Sequence, residues 1–345
     1  MLPTRRQFLA APALTLAARA GHAGPMPLSR MGLVLYSYGI RSRQEKDLAE
    51  PLRFLDWCRA RGAGGMQLPL GMRDADYLKK LRGQAEKKQM FVEGSIRPPQ
   101  TKDDTARFEA EVRAARAAGV EVLRTVMLSG RRYEVFKTLK EYRSFKEGAR
   151  RSLELAEPIV SRHKVRLAVE NHKDFRAAEQ VEMLNRLGSE RVGICVDLGN
   201  NLALLEDPVH TVTTLAPLAY ACHVKDMAVE EMPEGFLLSE VALGEGMLDL
   251  SRLLGVLRKA RPNLRFTLEM ITRDPLRIPC LSESYWATFD DVPARDLAAT
   301  LALVRRHAGK KPLPRVFSLP LKEQLAVEDQ NVRRSLAYAR ARLGL

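Results

Sequence analysis

Four side chains able to bind hard metal ions close four successive apolar runs in the second half of the chain. Leu167-Ala168-Val169 ends in Glu170, Ile194-Cys195-Val196 in Asp197, Ala221-Cys222 in His223, and Thr267-Leu268 in Glu269. Three carboxylates and one imidazole make an oxygen-rich donor set. Such a set favours Mn²⁺ or Mg²⁺, admits Zn²⁺, Co²⁺ or Fe²⁺, and leaves coordination positions for a substrate. An ion also answers an electrostatic objection, because acids crowded together without one raise each other's pKa values. Taken singly, each residue has a plainer explanation: an acid closing a strand is ordinarily a helix cap or surface group, and an isolated histidine a satisfied polar residue. The succession of four is what argues for a single centre.

For these four residues to meet, the chain must bring the ends of their strands to one place. From Met31 onward, short apolar or β-branched runs alternate with helical patterns, the signature of a parallel sheet built from strand–helix units. The runs predict strands over 32–36, 65–68, 90–93, 122–126, 165–170, 192–197, 220–224 and 265–269. Amphipathic segments predict helices over 48–60, 75–88, 103–118, 142–163, 178–187, 208–215, 250–260 and 294–307. Eight such units in about 280 residues match an α/β fold of the (β/α)₈ TIM-barrel type. A doubly wound sheet takes fewer strands and a phosphate-binding glycine turn, and no Gly-x-Gly-x-x-Gly follows the first strand. In a barrel the carboxyl ends of the strands converge on one mouth, where active sites are built. His172, two residues past Glu170, and Lys225, in the same relation to His223, share that face. They are placed to hydrogen-bond a substrate hydroxyl and to neutralise an oxyanion or carboxylate. Glu93, Ser95 and Arg97, after the third strand, are expected to reach the same mouth. By the same alternation Cys195 lines the barrel interior as packing, and Cys222 faces the helix layer as a small hydrophobe. The barrel is read as 31–309, followed by an extension, 310–345, whose helix over 327–343 packs on the barrel or on a partner in a homo-oligomer.

The whole chain has 345 residues, 46% hydrophobic and 28% charged, so it can bury a sizeable core and is not disordered. A formal charge of +14 puts nucleic acid, anionic membranes and acidic glycans among the partners to test. Four cysteines show neither Cys-x-x-Cys pairing nor regular spacing, which speaks against a thiolate zinc site or a disulfide framework. No run of about 18 apolar residues exists to span a membrane. Thr4-Arg5-Arg6-Gln7-Phe8-Leu9 precedes an Ala/Leu-rich stretch and then small residues, and it resembles a twin-arginine export signal. Residues 1–23 are therefore expected to be a cleaved address, and the destination periplasmic or extracellular. Cleavage removes Arg5, Arg6 and Arg19, and with them three positive charges.

Glu-Asn-His at 170–172, Asp-Leu-Gly-Asn at 197–200, His-Val-Lys-Asp at 223–226, Gly-Glu-Gly-Met-Leu-Asp-Leu at 244–250 and Glu269 together resemble the xylose isomerase-like TIM-barrel superfamily. The resemblance covers about Met31 to His307. It implies one divalent ion, manganese foremost, on Glu170, Asp197, His223 and Glu269, with the two glutamates as an acid/base pair. That pairing is chemically coherent: an ion chelated by a ketone oxygen and its neighbouring hydroxyl acidifies the C–H between them, and the two glutamates flank that carbon. The implied activity is sugar isomerisation or epimerisation through an enediolate. A lyase or hydrolase acting on keto-glycosides would use the same core. Substrate contacts are assigned to His172, Asn200, Lys225, Glu93 and Arg97. Ketose 3-epimerases of the superfamily carry histidine where Asn200 stands, arginine at Val229 and glutamate at Arg176, so the sugar does not carry over. The superfamily also contains endonuclease IV-like DNA-repair enzymes with three zinc ions. Here strands two and three have no histidine, Asn200 replaces another, and Val241-Ala242-Leu243 stands where an Asp-x-His is required. A small carbohydrate or glycoside is therefore the expected partner, with neither nucleic acid nor membrane insertion. A non-catalytic sugar-binding barrel is the remaining alternative.

Overall fold

The computed structural model describes residues 28–309 and 312–345. The twin-arginine segment expected over 1–23 lies outside the described residues. Eight parallel strands close a barrel: β1 (Met31–Val34), β2 (Gly65–Pro69), β3 (Phe91–Ser95), β4 (Val122–Thr125), β5 (Arg166–Glu170), β6 (Val192–Asp197), β7 (Ala219–Val224) and β10 (Phe266–Leu268). The expected TIM barrel is what the chain forms, and β10 pairs with both β7 and β1 to close it.

Helices α1 (Gly39–Gln44), α2 (Pro51–Ala60), α3 (Ala75–Lys87), α4 (Thr105–Ala117), α5 (Arg132–Val135), α6 (Leu139–Arg162), α7 (Ala177–Leu187), α8 (Pro208–Leu215) and α9 (Leu250–Ala260) follow the strands. Their starts are written in side chains that accept otherwise orphaned N–H groups, each contributing about 1 kcal/mol. Asp74 caps α3, Asp207 caps α8, Asp249 caps α9, and Thr138 with Glu141 forms a capping box on α6. The main core lies between sheet and helices and includes Cys222. Inside the barrel, Val122, Ala168, Cys195 and Ala221 form a small separate cluster, so both cysteines sit on the faces that strand alternation assigned them. Among the described residues no helix is long and apolar enough to cross a membrane.

Between β7 and β10 the chain adds a hairpin, β8 (Asp226–Met232) and β9 (Gly235–Val241), which pairs antiparallel with β11 (Leu276–Ile278). This sheet has its own core. Met227, Val229, Phe236, Leu238 and Ile278 pack with Tyr285 of α10 (Glu283–Trp286), with Phe289 just after it, and with Val304 of α11 (Ala294–His307). The helix following the eighth barrel strand therefore covers the added sheet. Its position in the barrel wall is taken by α12 (Leu321–Tyr338), whose Val332 and Leu336 join the main core. On one side Asp329 of α12 pairs with Arg61, at the end of α2, at 2.8 Å; on the other, Arg258 of α9 donates to the carbonyl of Leu343 at 2.7 Å. Buried Glu328 accepts the N–H groups of Ile40 (2.6 Å) and Arg41 (3.1 Å), satisfying the open start of α1.

Candidate metal centre

The four residues closing β5, β6, β7 and β10 meet. One donor atom from each of Glu170, Asp197, His223 and Glu269 lies within 4.8 Å of all the others, and all four residues are buried. Strand pairing sets this up, since Asp197 is in register with His223, and Glu269 stands two residues beyond Thr267, the partner of His223.

The chain holds each donor in place. His223 Nε2 lies 2.8 Å from Gln67 Oε1, and Gln67 Nε2 donates to Glu93 Oε2 at 3.0 Å. Glu93 thereby turns the Gln67 carbonyl toward the imidazole, so the proton belongs on Nε2 and Nδ1 is left bare. That buried Nδ1 has no hydrogen-bond partner and stands 3.3 Å from Glu170 Oε2 and 3.5 Å from Glu269 Oε1. Asp197 Oδ1 accepts the N–H groups of Gly199 (3.0 Å) and Asn200 (2.9 Å), while Asn171 clamps the Asp197 backbone from both sides at 2.7 and 2.9 Å. Ser37 does the same around Glu269. Its hydroxyl donates to the carbonyl of Leu268 (2.9 Å) and accepts from the N–H of Met270 (3.0 Å). The Gly-Glu-Gly motif is structural. The Asp226 carboxylate gathers the N–H groups of Gly244, Gly246 and Leu248 at 2.9–3.1 Å. A Cβ on Gly246 would strike that carboxylate at 2.2 Å, and Gly244 has φ +84° against the ring of Tyr338.

Cations surround the donors. Arg124 Nε donates to Glu170 at 2.5 Å, and Lys225 Nζ lies 2.7 Å from both Asp197 Oδ2 and Glu269 Oε2. Arg273 forks onto buried Glu240 at 2.7 and 3.2 Å. Burial alone would raise the carboxylates. For Glu170 it is overcome by Arg124 and His223, which hold it well below the usual range, and for Glu269 by Lys225, which brings it to about 2. At Asp197 burial wins and the pKa rises. Burial opposes charging of His223, but Glu269 and Glu170 outweigh it and raise its affinity for a proton. The field that draws a proton to that nitrogen would equally draw a metal cation. The donor set, its burial and the bare Nδ1 thus fit a divalent ion held by Glu170, Asp197, His223 and Glu269.

The other expected contacts divide. Asn200 belongs to the centre, donating to Glu170 Oε1 at 3.1 Å. His172 is partly buried beside it, its Nδ1 unpartnered and its pKa pushed down to about 3 by burial and then by Lys173, so it is neutral. Lys225 is committed to carboxylates of the centre. Glu93 does not line the mouth as expected. β3 runs on to Ser95, which leaves Glu93 deeper in the barrel against Gln67, where burial lifts its carboxyl to about 7. Arg97 is likewise not at the mouth. It lies past the strand, its guanidinium largely in solvent and 4.0 Å from Asp104. Gln67 and Arg124 went unread in the sequence although both interrupt apolar runs, a position where a polar side chain must find a partner inside. Ser37 lies in a short 3-10 turn, Lys173 and Arg273 in irregular connections and Glu240 in the added hairpin, and none gave such a sign.

The family described as a xylose isomerase-like TIM barrel matches residues 55–292. Among solved structures, a D-psicose 3-epimerase determined with D-fructose superposes with a TM-score of 0.58 at 14% identity, over 91% of this chain and 99% of that one. An L-ribulose 3-epimerase gives 0.54 at 16% over the same shares, and the probable 3-DHS dehydratase of Bacillus anthracis 0.52 at 12%, over 76% and 99%. At such identities the likeness is one of fold. Among curated proteins, the 3-oxo-isoapionate decarboxylase of Pectobacterium atrosepticum is 28% identical over 114 residues. That match takes in 32% of this chain and spans 42% of the relative, less than half its length.

Proposed function

The chain belongs to the xylose isomerase-like TIM-barrel family, and from that premise we propose that it is a divalent-metal-dependent carbohydrate isomerase or epimerase acting through an enediolate. The observation that carries this reading is the convergence of four donors around the bare His223 Nδ1. Glu170, Asp197, His223 and Glu269 would hold the ion, which we take to be manganese. A bound divalent ion supplies polarisation of a ketone and the adjoining hydroxyl, lowering the barrier to loss of the C–H proton between them. Glu170 and Glu269 do the proton work. Their cationic neighbours keep both ionised at neutral pH, so either can take the carbon-bound proton and return it to the same or a neighbouring carbon. Neutral His172 offers its free ring nitrogen to a substrate hydroxyl. Asn200 and Arg124 fix the angle of Glu170, and Lys225 that of Glu269.

The test is elemental content together with hydrogen exchange. One divalent ion per chain, and solvent deuterium entering a sugar C–H in the wild type but not in Glu170→Gln or Glu269→Gln, is the expected result. Three zinc ions per chain, no metal at all, or full turnover with the label retained would sink the proposal. A lyase reading, decarboxylation of a 3-oxo sugar acid on the same donors, is favoured by the ring of cations and by the name of the Pectobacterium relative. Release of CO₂ without prior C–H exchange would select it. We also propose export through the twin-arginine route. Replacing Arg5 and Arg6 with lysines should leave the protein in the cytoplasm, and unchanged secretion would refute the route.

A further inference from the structure

Around the centre stand the buried carboxylates Glu170, Asp197, Glu240 and Glu269 and the cations Arg124, Lys173, Lys225 and Arg273, with Glu93 and Asp174 buried nearby and their carboxyls pushed up to about 7 by burial. Three of the cations are paired: Arg124 with Glu170, Lys225 with Asp197 and Glu269, Arg273 with Glu240. Lys173 is not. It is 3% exposed, and among the described residues no carboxylate oxygen lies within 4.0 Å of its ammonium. Its hydrogen-bond partner is the amide oxygen of Asn200, whose Nδ2 reaches Glu170 on the other side. The backbone is fixed too, since the N–H of Arg132 donates to the Lys173 carbonyl at 2.8 Å. A buried ammonium with three donors and one neutral acceptor is costly in the free protein unless an anion completes it. A divalent ion on the four donors sharpens the imbalance, adding two positive charges beside this unpaired ammonium. An anionic ligand restores the balance.

We propose that Lys173 anchors a carboxylate of the substrate, so that the site takes sugar acids or keto acids in place of neutral sugars. The inference rests on the metal-dependent reading above and names its substrate class. The Asn200 bridge places that anchor one side chain away from Glu170, so a bound carboxylate would stand next to the carbon that Glu170 deprotonates. Phosphate is the other anion of sugar chemistry, but it is bound by a cradle of several N–H groups, often at a helix start. One lysine beside one amide matches a carboxylate.

The probes are glycerate, glycerol 3-phosphate and glycerol, titrated calorimetrically at constant ionic strength into the manganese-loaded protein. They share one carbon skeleton and are small enough for any mouth that admits a sugar. Glycerate should bind the wild type and Lys173→Arg, and Lys173→Met should weaken it by about tenfold to a hundredfold. Glycerol should bind neither. Equal glycerate affinity in Lys173→Met, no glycerate binding to the metal-loaded wild type, or preference for glycerol 3-phosphate would each overturn the proposal. A second measurement needs no ligand. Removing an unpaired buried charge should raise the melting temperature of Lys173→Met by about 2–4 °C; a fall would mean that the lysine is structural. Metal content is read on the same samples. A wild type that binds manganese but no glycerate defeats this inference alone. A wild type without manganese defeats the metal reading, and glycerate lost from Lys173→Met in that protein would still support the anchor.

Discussion

Around the barrel mouth, β5, β6, β7 and β10 end in groups that can bind an ion, whereas the elements of the other half carry groups that hold those donors still. Gln67 on β2, braced by Glu93 on β3, orients His223; Arg124 on β4 takes Glu170; Ser37, just after β1, brackets Glu269. The difference is one of chemistry as well as position. The donor half concentrates negative charge, and the bracing half supplies neutral hydrogen bonds and one guanidinium. A closed barrel makes this division workable, because every strand faces the same small interior, and Gln67 on β2 and Ser37 just after β1 reach groups more than a hundred residues away in sequence. Donors decide whether an ion binds; braces decide how tightly and at what angle.

The comparison can be broken by substitution. The largest effect belongs to the donor half. Asp197→Ala and His223→Ala should take the bound metal from one ion per chain to none by elemental analysis, and Glu170→Gln or Glu269→Gln should cut turnover by about 10²–10⁴-fold. In the bracing half Gln67→Leu leaves all four donors present but takes away the partner of His223 Nε2, so metal affinity should fall by about 10–100-fold, read by competition with a chelating dye. Affinity equal to the wild type would erase the distinction between the two halves. Ser37→Ala tests positioning. The Met270 N–H loses its partner, a cost of about 1–3 kcal/mol in denaturant unfolding, and kcat should drop by about tenfold with KM nearly unchanged, since Glu269 remains but is less well aimed. A change in KM alone would assign Ser37 to substrate binding.

The smallest effect is a pH dependence. Glu93 keeps its proton in the folded chelator-treated protein to about 7, against an ordinary value of 4.5, because burial outweighs its hydrogen bond from Gln67. Between those values the folded state binds a proton that the unfolded chain has released, so stability falls as pH climbs through that window. Denaturation midpoints from pH 4.5 to 7 should show that slope, and Glu93→Gln should reduce it to the part that Asp174 contributes, whose buried carboxyl is also pushed up to about 7. An unchanged slope would show that another group carries the proton.

The donors were legible in the sequence because each closes an apolar run, and a strand end is a position that alternation and length define without knowledge of neighbours. The braces were harder to read. Gln67 and Arg124 sit inside strands, where the sequence shows a polar residue but not which of seven other strands will satisfy it. Lys173 lies beyond β5 in an irregular segment, where no period exists to say which way it turns. The hairpin β8–β9 was hidden for a related reason: Lys225 alone separates it from β7, and Glu230-Glu231 interrupts its apolar alternation. The helices α11 and α12 are both amphipathic, and amphipathicity states that a face is buried, not against what. Val304 finds the added sheet and Val332 the barrel, a choice made by tertiary fit.

That exchange of helices bears on how the molecule is made. Glu328 on α12 seals the start of α1 across 288 residues of chain, and Asp329 meets Arg61 across 268. A nascent chain synthesised through β10 already has all eight barrel strands, yet the wall between α2 and α9 stays open, with its apolar lining wet, until α12 emerges. Contacts that distant form late and slowly. Assembly of the barrel is thus held back until long after its strands exist, and the incomplete intermediate is the species that holdase chaperones and proteases would meet first.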